Sequence, residues 1–291
     1  MLIFGVMLAR GISIEPQWVV LALLLIAVAM GRGGQFIKDW TPFLVLFFAY
    51  EAMRGFAAKT GLAPHDLSGA ERLLFGGTLP TQFLQQHFYD VHSVQPQDVV
   101  ALVLYFLHFP LPIVVGFIFW TRSREHYWRF ISALLLMSFL AFLTYLVYPS
   151  APPRLEFPNS VHWVTDETVK KLLNKYYISP ISNSYYISPI YSHLNPNQYA
   201  AFPSLHAAFP LLAALYAWNR YRALSVALAI WTAAVWIAIV YLGEHYFVDA
   251  LAGLVYAAAA AALVELVAGR FNRGPPRNRR FRGVIRLPRR A

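Results

Sequence analysis

Apolar residues along this chain fall in long runs, without the two- or 3.6-residue alternation of a half-buried strand or a surface helix. Seven runs stand out, at residues 17–31, 39–57, 98–121, 127–148, 202–218, 223–241 and 246–268. About 20 mainly apolar residues let one helix cross a bilayer. In hydrocarbon, only helices and closed barrels satisfy their own backbone polar groups. The pattern predicts an all-α, polytopic transmembrane helical bundle of about six to seven spans. Residues 1–268 form a single membrane domain and 269–291 a tail. The first run is short, so the N-terminal 15 residues either extend it or lie at the interface. They lack a basic start and a small-residue cleavage site before the next apolar run, and no removed leader is expected.

Polar positions orient this bundle. "GRGGQFIKD", "TRSREHYWR" and "NRYRA" are basic connections between runs one and two, three and four, and five and six. Seven spans put all three on the side of the C-terminal tail. Short basic loops mark the cytoplasm, so the expectation is a cell-membrane protein with its C-terminus inside. The N-terminus and two longer segments, 58–97 and 149–201, then lie outside. The first contains "LPTQFLQQHFYD", a mixed stretch read as interfacial or re-entrant. The second contains a tandem repeat, "YYISPISNS" and "YYISPIYSH" over 176–193, whose Ser-Pro breaks predict turn-rich extended structure.

Composition agrees. Hydrophobic residues make up 58% of the chain and charged ones 13%, against about 25% charged in a soluble domain. The formal net charge is +10, but nine arginines and no acid lie in 269–291, which leaves +1 for the rest. The basic character is a tail property, which suits anionic lipid headgroups and gives no nucleic-acid-binding face. There are no cysteines, which excludes disulfides, thiolate nucleophiles and Cys-type metal sites.

The chemistry concentrates at the outer ends of the late runs. His206 lies in "AAFPSLHAAFP" and His245 in "YLGEHYFVDALAG", with Asp249 four residues on. Ionisable residues at membrane depth are functional-site candidates. On a helix His245 and Asp249 share a face. A carboxylate that accepts one imidazole N–H leaves the other nitrogen as nucleophile or base. Pro203 is expected in a first helical turn. That would leave N–H groups around Ser204 and Leu205 for a phosphate group, with His206 placed to protonate a leaving oxygen. Two other readings of the same residues stay open. One is a His–Asp proton relay in a transporter, or a non-catalytic scaffold; the other is a zinc site made of His206, His245 and Asp249.

"FPSLH" and "GEHYFVD" resemble signature motifs of the type 2 phosphatidic acid phosphatase superfamily, whose core is shared with haloperoxidase-like proteins. "YPSAPP" (148–153), Asn195-Pro196, "YEAMRG" (50–55) and "LHFPLP" (107–112) are similar to its inositol phosphorylceramide synthase-like branch. The resemblance covers roughly residues 40–265. It implies a lipid phosphatase or phosphotransferase working at the outer membrane face without metal or other cofactor. In it His245 attacks phosphorus and forms a phosphohistidine, Asp249 orients His245, and His206 protonates the leaving group. It also implies a membrane lipid donor and, for transfer, a small alcohol acceptor such as inositol. A polyprenyl (pyro)phosphate phosphatase is the alternative.

Two departures bear on the phosphate. The Lys-x6-Arg-Pro motif of the phosphatase branch is absent, and its Ser-Arg pair before the nucleophile is replaced by Ala238 and Ile239. Developing negative charge needs fixed donors. Arg154 and Arg54, the latter near Glu51, are the substitutes expected beside Ser204. Glu244 is expected at the surface, and Tyr105 and His108 in bundle hydrogen bonding. His87, Asp90 and His92 are candidates for an acceptor pocket.

Overall fold

The computed structural model describes residues 16–57, 60–108, 110–175 and 198–272. The tandem repeat, Asn195-Pro196 and the tail beyond Asn272 lie outside these described residues. Twelve helices are described: α1 (Pro16–Ala29), α2 (Gly33–Ala57), α3 (Ser68–Leu74), α4 (Pro80–Phe88), α5 (Pro96–Phe106), α6 (Pro110–Arg122), α7 (Arg124–Val147), α8 (Pro153–Glu156), α9 (Val164–Lys175), α10 (Leu205–Ala217), α11 (Arg222–Tyr241) and α12 (Phe247–Asn272). Among the described residues the only extended pairing is two isolated parallel bridges, His65 with Ser150 and Ser150 with Ala200.

Among the described residues α7, α11 and the Phe247–Arg270 part of α12 are long and apolar enough to cross a membrane. The run at 98–121, expected as one span, is two helices meeting at 54°. Pro110 lacks the N–H that would continue the ladder, and α6 starts on it. The run at 202–218 is also shorter than expected. Ser204 caps α10, its side chain accepting from the Ala207 N–H at 3.3 Å. The 13 residues that follow reach only about 20 Å, less than a hydrocarbon core. Pro203 thus precedes the cap and stands outside the first turn.

α7 is the central element and packs against α2, α6, α10 and α12. The three basic connections meet at one end of the bundle. Arg32 donates to the Thr121 carbonyl and lies over the Trp120 ring, Arg124 clamps the buried Asp39 carboxylate, and Tyr221 stacks on Phe119. At the other end α7 and α11 finish while α10 and α12 begin. The segments around α3–α5 and α8–α9 cover that end. Gln85 ties them down, its amide donating to the His162 and Tyr241 carbonyls at 3.0 and 2.8 Å and accepting from the His162 N–H. "LPTQFLQQHF" is therefore a helix packed on α11.

Candidate active site

The site is built by two helix starts that touch. Gly253 of α12 faces α10 so closely that a Cβ there would lie 2.5 Å from the Ser204 carbonyl. The Ser204 N–H in turn donates to the Asp249 carbonyl at 3.0 Å. This contact sets the α10 start, with His206, against the α12 start, with Asp249. His245 comes from the turn between α11 and α12. Gly243 takes the left-handed conformation (φ +77°), which glycine adopts without steric cost. The chain then folds back so that the Glu244 and His245 N–H groups both donate to the Ile239 carbonyl.

The result joins the two histidines directly. His245 Nε2 lies 3.1 Å from His206 Nδ1. His245 Nδ1 lies 3.0 Å from the Ala201 carbonyl and 3.4 Å from Asp249 Oδ2. A carbonyl can only accept, so Nδ1 carries the proton in neutral His245 and Nε2 keeps its lone pair. Asp249 is fully buried, and its Oδ2 also accepts from the Tyr246 N–H at 2.8 Å. The His–Asp contact expected from the four-residue spacing is present, although His245 stands in the turn before α12 and not on the helix. The spacing did not predict that a backbone carbonyl from residue 201 is the nearer acceptor.

The expected phosphate donors sit differently. Ser204 is fully buried, its side chain bonded to Ala207 and its N–H to Asp249, so it joins the helices and its N–H is not turned to a ligand. Arg154 is largely buried and donates through Nε to Glu244 at 3.0 Å, with its guanidinium over the Trp163 ring. Trp163 Nε1 donates to the other Glu244 oxygen at 2.8 Å. Glu244 is consequently buried, correcting the surface position expected for it. That expectation assumed a helix, whereas residues 242–246 form a turn. Arg54 lies on α2, but its side chain falls outside the described residues. Ile239, where the phosphatase branch has arginine, is buried in an apolar cluster with Ala207, Val235, Val240 and Ala250. A cation there would be buried without a partner.

Three further residues reach this end. Glu71 of α3 is buried and accepts from the Phe247 and Val248 N–H groups at 2.9 and 3.1 Å. It caps α12 from 176 residues away. Burial pushes its carboxyl above the usual range, against the two N–H groups that pull it down. Tyr105 and His108, expected in bundle hydrogen bonding, have their rings against His206. For His108 the signal in the sequence was "LHFPLP". Around His87, Asp90 and His92 the contacts are mainly local, with Lys171 also donating to the Asp90 carbonyl. His87 bonds the Phe83 carbonyl. The Ser93 hydroxyl and the His92 N–H hold the Asp90 carboxyl below its ordinary range. Among the described residues no three His, Asp or Glu side chains are grouped as ligands of one metal ion.

A family model described as the PAP2 superfamily matches residues 66–263, a stretch that holds both histidines and Asp249. The chain belongs to the PAP2 superfamily. It is also 28% identical over 227 residues to a phosphoinositol dihydroceramide synthase of Bacteroides thetaiotaomicron, covering 73% of this chain and 71% of that one. No solved structure matches. This PAP2 protein is therefore a membrane enzyme of lipid phosphoester chemistry, a phosphatase or phosphotransferase.

Proposed function

We propose that this enzyme transfers a phosphoryl-linked group from a membrane lipid through a phosphohistidine on His245, working at the extracytoplasmic face, with water or a small alcohol such as inositol as the acceptor that its branch resemblance implies. The observation that carries this reading is the 3.1 Å approach of His245 Nε2 to His206 Nδ1, with the far nitrogen of His245 held by Ala201 and Asp249. A lone pair faces a proton donor, and a phosphoryl group belongs between them.

His245 Nε2 attacks phosphorus and the bond to the leaving alcohol breaks. That oxygen takes the proton from His206 Nδ1. His206 then removes the proton of the incoming water or alcohol as its oxygen attacks phosphorus and the N–P bond breaks. Near attack places Nε2 about 3–3.5 Å from phosphorus, and the leaving oxygen lies beyond. The two histidines must separate on substrate binding, so the close pair is the resting arrangement. Arg154, released from Glu244, supplies the cation that the buried Ile239 cannot. Asp249 supports the imidazolium character that develops on His245.

The test uses purified full-length protein with phosphatidic acid, phosphatidylinositol and a polyprenyl pyrophosphate, each with and without chelator. Expected is chelator-resistant turnover, lost in His245→Ala and in His206→Ala, with acid-labile phosphate on His245 in quenched wild-type enzyme. In the same assay Arg154→Gln raises KM. Inositol added as acceptor separates transfer from hydrolysis. Full activity in His245→Ala would sink the mechanism.

A further inference from the structure

The chemistry above assigns no task to the two rings packed on His206. Tyr105 stacks on its imidazole with centroids 4.5 Å apart and planes 13° from parallel. The His108 ring centroid is 3.8 Å away at 45°. His108 is itself fixed. It is buried, and its Nδ1 lies 2.7 Å from the Tyr105 carbonyl, which can only accept, so Nδ1 is the protonated nitrogen of the neutral ring. Both residues stand where the broken span turns by 54° between α5 and α6. The break therefore lies at the depth of the histidine pair, and a different part of the chain holds each partner: the α11–α12 turn holds His245, and the α5–α6 break packs on His206.

An acid is useful only if its N–H points at the oxygen that develops charge. The contact with His245 fixes one edge of the His206 ring, and that contact opens when substrate enters. We propose that His108 and Tyr105 are positioning residues for His206, two rings that hold its imidazole plane so that Nδ1 stays aimed at the leaving oxygen after the histidine pair has separated. This rests on the reading of His206 as proton donor.

Leaving-group dependence tests it in full-length enzyme. Phosphatidic acid releases an alkoxide that needs a proton, whereas p-nitrophenyl phosphate releases a stable anion that does not. His206→Ala should lose about 10²–10⁴-fold on phosphatidic acid and far less on p-nitrophenyl phosphate. His108→Leu should repeat the pattern more weakly, losing ~10-fold or more in kcat on phosphatidic acid at unchanged KM, but under ~3-fold on p-nitrophenyl phosphate. His108→Phe, which keeps a flat ring, should restore most of that loss. If His108→Leu does not fold, Tyr105→Leu takes its place with the same expectation. Equal losses on both substrates in His108→Leu, no loss on either, or failure of His108→Phe to rescue would overturn the proposal. Equal losses in His206→Ala would instead remove the reading beneath it.

Discussion

His245 shows how much of a site can rest on atoms that have no side chain. Its Nδ1 has two acceptors, the Ala201 carbonyl at 3.0 Å and Asp249 at 3.4 Å. In a serine-protease triad the aspartate alone sets the tautomer, and its loss as Asn costs about 10⁴ in kcat. Here the carbonyl keeps the same tautomer when the carboxylate is neutralised. Asp249→Asn is therefore expected to lose only about 10–100-fold in kcat, the part that comes from charge on the imidazolium. Steady-state kinetics on the wild-type substrate checks this, and a loss near 10⁴ would mean that Ala201 does not orient the ring. The pairing of His245 with Asp249 was legible from their four-residue spacing, although the chain achieves it with His245 in the turn before α12. Ala201 was not, because a carbonyl 44 residues away leaves no mark in side-chain pattern. Glu244 was misplaced for a related reason: Gly243 ends helix α11 one residue before it.

At the level of elements, helix ends matter more here than helix lengths. α10 and α12 meet at their N-termini through Ser204, Asp249 and Gly253, and Glu71 caps α12 from α3. Apolar run length forecast where helices lie but overestimated two of them. Pro110 breaks one run, and the Ser204 cap starts the other late. Both departures fall at the depth of the histidine pair, where the chain must expose chemistry. Gly253→Ala places a methyl 2.5 Å from the Ser204 carbonyl, with backbone on the other side that cannot swing away. Overpacking of this kind costs about 1–3 kcal/mol. Thermal unfolding in detergent should show that loss, and activity should fall with it as His206 shifts from His245. Gly269→Ala is the control, since nothing lies within 4 Å of its Cβ and alanine is the better helix former. Equal melting temperatures for the two variants would mean that the α10–α12 crossing is looser than this packing.

For the whole molecule, the basic connections gather at one end of the bundle and the histidine pair at the other. Arg32, Arg122, Arg124, Arg220, Arg222 and Arg270 belong to the end where the basic connections meet. The other end carries the histidine pair and acids such as Asp66, Glu71, Asp90 and Glu167, most of them engaged with N–H or O–H donors. The run-by-run reading of topology needed an odd number of spans to put the C-terminal end on the side of the basic loops. In the folded chain the basic loops and the end of α12 are together, Arg129 of α7 bonding Glu265 of α12 at 2.9 Å, although one run is broken and another is short. Their common placement therefore does not depend on the span count. The retention of arginine-rich ends on the cytoplasmic side supports the proposal that His206 and His245 work at the extracytoplasmic face, where a lipid phosphoester would be met from outside. The lack of cysteine makes this directly measurable, because a single introduced thiol has no background. Gln86 and Asn219 are exposed at opposite ends, on α4 and in the connection between α10 and α11. In intact cells a membrane-impermeant maleimide should label Gln86→Cys at once and Asn219→Cys only after permeabilisation. The reverse pattern would place the histidine pair on the cytoplasmic side and require a lipid donor drawn from the inner leaflet.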